Sequence, residues 1–206
     1  MPAIGITGGI ATGKSSFLGC LRELAPTARF FDADLAARKL TDRDPEARGL
    51  IEALFGQEVF TAGGDLNRER IRSIVFTDAE KKRALEQILH PRIRRQWSLE
   101  AEGHRNSTEL FFADIPLLYE TRGETLCDQV VVVACSPAVQ LERLVARTRL
   151  DQVEARKMID GQMPLTEKMS RADHVVWNNG SRDGLKEQAR LLVRLWKDGA
   201  SSRSAS

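Results

Sequence analysis

Short apolar runs recur along the chain, and most of them are followed by residues with the apolar spacing of a helix. The runs are residues 3–6, 29–31, 110–113, 129–134 and 174–177. Each has the length and character of a buried strand in a parallel sheet. Helical spacing follows up to Leu24, over 138–146 and over 183–197. This alternation predicts an α/β protein with a wound parallel sheet.

About eighty residues separate the second and third runs, far more than a crossover helix needs. We therefore expect an inserted subdomain, with helices around 45–55, 68–76 and 79–95 and a turn at 61–65. A smaller polar segment, 148–171, interrupts the last part of the sheet. We expect it to close over a bound phosphate compound as a lid.

Residues Gly8–Ser15 match the pattern G-x-x-x-x-G-K-[ST] directly after the first apolar run. A strand, a glycine-rich turn and a helix in this order predict a phosphate-binding loop, because backbone N–H groups and the helix N-terminus surround the anion. Lys14 is expected to reach the β- and γ-phosphates, and the Ser15 hydroxyl is expected to ligate Mg²⁺. A chance glycine-rich turn is the less favoured interpretation.

Charge, apolar content and cysteine spacing limit the binding partners and the cellular location that the sequence predicts. The 206 residues include 31 basic and 29 acidic side chains, for a net charge of +2, which provides no large basic field for nucleic acid. No apolar run approaches the ~20 residues that span a bilayer, and the first residues do not resemble an export signal. Three cysteines without C-x-x-C spacing are expected to be reduced thiols of a cytoplasmic protein. Oligomeric state is not defined by these features.

Carboxylates follow two of the predicted strands. Asp32 and Asp34 come after the second strand, two residues apart and so on one side of an extended chain. One could accept a hydroxyl proton while the other holds substrate, or the pair could form a strand-end turn or a helix cap. Asp114 resembles the acidic end of a Walker B strand, which contacts metal through water, although loop polarity explains it equally well.

Cationic side chains give two further candidates. Arg143 and Arg147 lie four residues apart, so that one helix face presents both, either toward a phosphoryl group or simply toward solvent. His90 precedes Pro91 and several arginines, among them Arg92, in a segment suited to a phosphate-bearing ligand. A packed histidine at a helix break is the alternative.

Together these segments resemble the dephospho-coenzyme A kinase family over nearly the whole chain. The matching elements are Thr7-Gly8-Gly9-Ile10, Gly13-Lys14-Ser15, Asp32-Ala33-Asp34, Gly64-Asp65-Leu66-Asn67-Arg68 with Val75-Phe76, Leu89-His90-Pro91-Arg92, Ile115-Pro116-Leu117-Leu118-Tyr119-Glu120, Gln140-Leu141-Glu142-Arg143, Arg147, Gln162-Met163, Ala172-Asp173 and Asn178-Asn179-Gly180. The phosphate loop alone occurs in many proteins. Its combination with the Asp pair, the His-Pro element and the Pro-Leu-Leu-Tyr-Glu run is far more specific.

The resemblance implies ATP-dependent phosphorylation of the ribose 3′-hydroxyl of dephospho-CoA, with Mg²⁺ as cofactor. It implies a three-layer α/β/α core of the P-loop NTPase type with a parallel sheet. That core would comprise 1–33, 106–147 and 172–199, with a helical dephospho-CoA-binding insertion at 34–105 and the lid at 148–171. The small polar tail at 200–206 is expected to be disordered.

The resemblance also assigns roles to individual residues. For catalysis it implies Lys14, Asp32 as general base, Arg143 and Arg147. For ATP binding it implies Gly9, Ile10, Ala11, Thr12, Gly13, Lys14, Ser15, Ser16 and, near the adenine, Asn178. For dephospho-CoA it implies Thr7, Asp34, His90 and Arg92. For the metal it implies Ser15 and Asp114.

Four residues depart from the family's usual pattern. Ala11 and Thr12 replace a common Gly-Ser pair at variable positions of the loop, where we expect phosphate binding to survive. Asn67 stands where an Asp is common. Trp177 replaces another frequent Asp, and this indole could stack on adenine, alter packing near ATP or fill core space.

Two other classes of protein share part of this pattern. Another small-molecule P-loop kinase would have the loop and lid without the His-Pro and Pro-Leu-Leu-Tyr-Glu elements. A nucleotide switch such as a GTPase would need the guanine-reading motif Asn-Lys-x-Asp, which this sequence lacks.

Overall fold

The computed structural model describes residues 2–105 and 107–203. The chain divides into two compact units, one formed by Met1–Phe31 with Glu100–Ser206 and the other by Asp32–Leu99. The insertion that the sequence predicts, 34–105, overlaps the second unit over most of its length.

A parallel sheet forms the centre of the first unit. Within the described residues its strands are β1 (Ala3–Gly8), β2 (Arg29–Asp32), β3 (Phe111–Asp114), β4 (Gln129–Ala134) and β5 (His174–Trp177). They lie in the order β2-β3-β1-β4-β5, with β1 parallel to β3 and β4, and β4 parallel to β5. All five predicted strands are confirmed.

The helices largely follow the predicted apolar spacing. They are α1 (Lys14–Leu24), α2 (Ala33–Arg43), α3 (Pro45–Phe55), α4 (Arg68–Thr77), α5 (Ala79–His104), α6 (Pro137–Thr148), α7 (Gln152–Asp160), α8 (Leu165–Ser170) and α9 (Arg182–Arg203). The helices α7 and α8 lie in the polar segment 148–171, for which the sequence predicts a lid but no particular secondary structure.

Helices cover both faces of the sheet. Alternate strand residues face opposite sides, so Ile4 and Ile6 of β1 share one core with Phe17 of α1 and Trp196 of α9. On the other face Gly5 lies against Leu118 and Cys127, and α8 packs near β4. The three-layer α/β/α arrangement is therefore confirmed.

The second unit has its own small core and well-capped helices. Ile51, Phe55, Val59 and Ile71 are buried together. Asn67 is the N-cap of α4, where its Oδ1 accepts a hydrogen bond from the Arg70 N–H at 3.0 Å. Asn and Asp cap helices about equally well, so the departure at position 67 preserves this local function.

Two details of the predicted secondary structure need correction. α5 continues through Pro91, so His90 lies inside a helix and not at a helix break. Pro91 removes one backbone hydrogen bond but does not end the helix. The strand β2 ends at Asp32 and Asp34 lies in α2. The two carboxylates therefore do not share one side of an extended chain.

The predicted disordered tail also differs, since α9 reaches Arg203. Extending a formed helix requires fewer new constraints than nucleating one, and Ala200 favours helix, so small polar composition was a poor guide for 200–203. Residues 204–206 lie outside the described residues.

The cysteines are free thiols. Burial raises the pKa of the Cys127 thiol to about 12 and also raises the pKa values of Cys20 and Cys135. These shifts favour the protonated, less reactive form. No helix in the described part of the chain has the length and apolar character needed to cross a bilayer.

We expect Gly5→Ala to destabilise the first unit by about 1–3 kcal/mol, the usual cost of overpacking. An added Cβ would lie 2.5 Å from Cys127 Sγ and 3.0 Å from Leu118 Cδ2. Urea unfolding measures the change, and Cys127→Ala should restore part of the loss. Gly19→Ala is the matched control: its Cβ meets open space in α1, so this variant should be equally or more stable than the parent. Equal stabilities for Gly5→Ala and the parent would contradict the packing argument.

Candidate active site

The glycine-rich loop joins β1 to α1 and has an unusual backbone. Ala11 has φ 60° and Gly13 has φ 94°, so left-handed residues flank Thr12. Alternation of this kind gathers successive backbone N–H groups into a concave anion-binding surface. Gly13 is also the N-cap of α1, which places the positive end of that helix at the same surface.

Side-chain amides from two other elements hold the loop's carbonyl groups. Gln140 of α6 donates its Nε2 hydrogen bond to the Ile10 carbonyl at 2.9 Å. Asn178, directly after β5, donates from Nδ2 to the Thr12 carbonyl at 2.9 Å. Both side chains belong to buried residues. The Arg143 guanidinium also approaches the Thr12 carbonyl, at 3.5 Å.

An ion pair lies beside the loop at the carboxyl ends of β1 and β3. The strand register sets Ile6 opposite Asp114, and the Lys14 ammonium pairs with the Asp114 carboxylate. The two side chains are only 15% and 14% exposed. The structure thus brings together a predicted phosphate-binding lysine and a predicted metal-binding carboxylate.

A buried lysine attaches α8 to the same region. Lys168 is fully buried, and its Nζ lies 2.8 Å from Glu120 Oε1, 3.2 Å from the Pro116 carbonyl and 3.4 Å from the Gly8 carbonyl. Glu120 Oε1 also accepts a hydrogen bond from the Met163 N–H at 3.1 Å. The ammonium therefore connects the segment 148–171 to the start of the phosphate loop.

Gln162 makes a second connection from the segment 148–171. Its Oε1 accepts a hydrogen bond from the Ile10 N–H at 2.8 Å. Ile10 thus receives an amide donor on its carbonyl and an amide acceptor on its N–H, from Gln140 and Gln162 respectively.

The other predicted residues of the first unit vary in exposure. Ser15 and Ser16 are exposed in the first turn of α1, and Arg147 is exposed in the last turn of α6. Thr7 is fully buried, and its hydroxyl donates to the Pro116 carbonyl at 3.0 Å. It presents no accessible surface to a substrate, because strand alternation turns its side chain inward.

Trp177 does not fill core space. Its residue is 45% exposed, and its N–H donates to Gln188 Oε1 at 3.0 Å while its carbonyl accepts from Gln188 Nε2 at 3.0 Å. Gln188 of α9 thus satisfies the backbone of β5 at this edge of the sheet.

In the second unit, Asp32 is the N-cap of α2. Its Oδ1 accepts a hydrogen bond from the Leu35 N–H at 2.9 Å, so the helix-cap alternative raised by the sequence is observed. Asp34 lies in the first helical turn and is exposed, where a negative charge interacts favourably with the helix dipole.

His90 and Arg92 both lie on α5, but side chains two apart on a helix do not face each other. Burial lowers the pKa of His90, opposed by the Glu86 carboxylate. Arg92 pairs with Glu46 at 2.8 Å and donates to the Ile88 carbonyl at 2.9 Å.

Sequence reasoning missed the supporting roles of Gln140, Gln162 and Lys168. The first two stood inside motifs used for the resemblance, without an assigned role. Lys168 lies in a polar segment, and its one signal is its position three residues after Leu165, on the same side of a helix.

Metal binding at this surface would depend on few protein ligands. Within residues 2–105 and 107–203, no group of three or more His, Cys, Asp or Glu side chains is arranged to hold a metal ion. The oxygen donors beside the loop are Ser15 and Asp114. One or two such donors suit Mg²⁺, which commonly completes its coordination with water and substrate phosphates.

Comparison with known proteins gives consistent matches over the chain. A family model described as dephospho-CoA kinase matches residues 2–183. A dephospho-CoA kinase from Bacillus anthracis is 39% identical over 94% of this chain and 96% of its own. A solved dephospho-CoA kinase from Campylobacter jejuni has a TM-score of 0.74 and 26% identity, covering 96% of this chain and 98% of its own. The Thermus thermophilus protein TT1252 has a TM-score of 0.76 and 33% identity, with 94% and 96% covered.

Lys168→Met is expected to lower the free energy of unfolding by about 3 kcal/mol, the low end for a broken buried pair. The low end applies because the Glu120 side chain is 23% exposed and keeps some hydration. Urea denaturation measures the loss. The double variant Lys168→Met/Glu120→Gln should recover stability because no charged partner remains. Lys157→Met, at an exposed position of the same segment, is the matched control, and similar losses in both methionine variants would refute a special role for Lys168.

Proposed function

Because the chain belongs to the dephospho-CoA kinase family, we propose that its glycine-rich loop holds the phosphates of ATP and that the insertion holds dephospho-CoA. The protein is a kinase of coenzyme A biosynthesis, which transfers a phosphoryl group from ATP to the ribose 3′-hydroxyl of dephospho-CoA. The observation that carries the ATP site is the loop's concave backbone, with positive φ at Ala11 and Gly13, at the start of α1.

The proposed ATP site comprises residues 9–16. Backbone N–H groups bind the phosphate oxygens, and the α1 N-terminus adds a favourable dipole. The Lys14 ammonium pairs with Asp114 beside the loop. When ATP binds, we propose that this ammonium exchanges the carboxylate for a phosphate oxygen.

A kinase that uses ATP requires a divalent metal in general, and we assign Mg²⁺ to Ser15 and Asp114. Hard oxygen donors are what Mg²⁺ prefers. When bound, the ion neutralises charge that develops on the β- and γ-phosphates. Asp114 pairs with Lys14 in this structure, and the exchange of Lys14 to a phosphate oxygen would free this carboxylate for the ion.

For the acceptor we assign Asp32 as general base and Asp34 as a substrate contact. The two oxygens of Asp32 give it two functions: Oδ1 caps α2, and the carboxylate accepts the proton of the 3′-hydroxyl as the phosphoryl group is transferred. His90 and Arg92 are assigned to binding the acceptor. The partial burial and lowered pKa of His90 support a neutral imidazole that can donate or accept a hydrogen bond.

Arg143 and Arg147 are assigned to the transferred phosphoryl group. Arg143 already reaches the Thr12 carbonyl, whereas Arg147 is exposed one turn further along α6. Arginine stabilises the charge that spreads over the equatorial oxygens. The segment 148–171 acts as the lid, with Gln162 and Lys168 as its attachments to the loop.

The partners in this proposal are two small molecules, ATP and dephospho-CoA. Near-neutral charge argues against nucleic acid as a partner. We assign the protein to the cytoplasm, where free thiols such as Cys20, Cys127 and Cys135 stay reduced.

A coupled ADP-release assay tests the choice of acceptor. Dephospho-CoA should support turnover far better than adenosine or AMP, and the product should carry phosphate at the ribose 3′ position. Preference for a nucleoside, a nucleotide or a sugar acid would instead favour another small-molecule P-loop kinase. ATP binding without transfer to any acceptor would favour a switch.

Asp32→Asn is expected to lower turnover by roughly 10²–10⁴-fold, the range for loss of a general base. Asn retains the capping oxygen, so α2 and the melting temperature should be preserved. Steady-state kinetics with dephospho-CoA, ATP titration and thermal melts measure the three effects.

Asp44→Asn is the matched control, because Asp44 caps α3 with the same geometry, accepting from the Ala47 N–H at 2.8 Å. Its turnover should equal that of the parent. Asp34→Asn should raise the KM for dephospho-CoA more than it slows turnover. Parent-like turnover in Asp32→Asn would exclude the base role, and a collapse of MgATP affinity would assign Asp32 to the metal.

Lys14→Ala is expected to abolish most activity while leaving the protein folded, because it removes a phosphate-facing charge from a backbone cradle held by other residues. Turnover at saturating ATP and far-UV circular dichroism measure the two properties. Lys157→Ala, exposed on α7, should behave like the parent. Comparable turnover in Lys14→Ala would contradict the phosphate-loop assignment.

A further inference from the structure

We propose that Gln140 and Asn178 are positioning residues, which hold two carbonyls of the phosphate loop so that the N–H groups of Ala11 and Gly13 face the nucleotide. The inference rests on the proposed ATP site in that loop. It assigns a function to Gln140, and it replaces direct adenine contact with an indirect role for Asn178.

In a planar trans peptide, the C=O and N–H bonds point in opposite directions. The Ile10 carbonyl shares its peptide with the Ala11 N–H, and the Thr12 carbonyl shares its peptide with the Gly13 N–H. Hydrogen bonds from Gln140 and Asn178 therefore turn the N–H groups of Ala11 and Gly13 away from these two side chains.

These two N–H groups belong to the residues with positive φ, 60° at Ala11 and 94° at Gly13. Gln140 and Asn178 thus bind the two peptide units whose N–H groups form part of the concave surface. Between them, the Thr12 N–H and hydroxyl both donate to the Gly9 carbonyl, at 3.3 Å and 2.9 Å, which closes the turn from within.

The side-chain amides of Gln140 and Asn178 pack closely against two glycines of the loop. A Cβ added at Gly13 would overlap Asn178 Nδ2, and one added at Gly9 would lie 2.7 Å from Gln140 Nε2. Side chains at these loop positions would displace the donors. The close approach of the two amides therefore depends on glycine at both loop positions: Gly9 beside Gln140, and Gly13 beside Asn178.

Both donors are themselves fixed. The Gln140 residue is 4% exposed and the Asn178 residue 7%, so each amide would lose a required hydrogen bond if it left the loop. Their backbones are held as well, because the Gln140 N–H donates to Ser136 at 2.9 Å and the Asn178 N–H donates to Ala134 at 2.7 Å. The burial of Asn178 against the Thr12 carbonyl favours action through the loop over contact with a base.

Gln140→Met and Asn178→Ala remove the donors without adding charge. The probes are MgATP, MgGTP and magnesium tripolyphosphate, which has no base or sugar, each titrated by displacement of a fluorescent nucleotide. We expect both variants to bind MgATP and tripolyphosphate at least tenfold more weakly, with the ATP-to-GTP preference unchanged. The KM for dephospho-CoA should change by less than twofold. Arg194→Met, exposed on α9, is the matched control.

Three outcomes would overturn the inference. Tripolyphosphate affinity within threefold of the parent would show that the loop needs neither donor. A loss confined to ATP, with altered base preference, would restore direct adenine contact. A lowered melting temperature with parent-like MgATP affinity would show a purely structural role.

Thermal melts identify folded variants, and Gln140→Leu or Asn178→Ser replaces a variant that does not fold. Binding measurements on the parent protein distinguish a failure of this inference from a failure of the proposed function. If the parent itself binds neither MgATP nor tripolyphosphate, the ATP site is wrong. If the parent binds both and the folded variants bind equally well, the positioning role alone is wrong.

Discussion

A buried carbonyl group needs a hydrogen-bond donor, and the phosphate loop obtains several of its donors from outside its own backbone. Gln140, Asn178 and Lys168 reach the carbonyls of Ile10, Thr12 and Gly8. Hydrogen bonds tolerate only small changes in distance and direction. The need to keep these donors in place therefore restricts where α6, β5 and α8 can lie around β1.

The buried Lys168 fixes the position of α8, which is a different effect from adding stability to the fold. Burying an ammonium group is costly, and its attraction to a carboxylate often repays little more than that cost. The pair with Glu120 and the bonds to the Pro116 and Gly8 carbonyls instead define one position for the segment 148–171. A methionine of similar size could fill the space without defining the position.

The sequence predicted the parts of this protein that depend on local pattern. Buried strands need continuous apolar runs, and the phosphate loop needs closely spaced glycines, so both were identified. The pairing of Lys14 with Asp114 was not, although each was identified as a candidate. The hydropathy of the segment around Lys168 gave no reason to expect a buried lysine. Side-chain alternation along an extended strand would place Asp32 and Asp34 on the same side, but α2 begins between them. Each missed feature depends on contacts between distant segments or on where one element stops.

The loop's donors lie far along the chain from the loop itself, with separations of 130 residues for Gln140 to Ile10 and 166 for Asn178 to Thr12. During synthesis, β1, the loop and α1 leave the ribosome long before either amide does. The glycine motif is then complete in sequence but its peptides are unsupported. Closing contacts of such separation is costly in chain entropy until the sheet has assembled, so we expect the anion-binding surface to form late in folding.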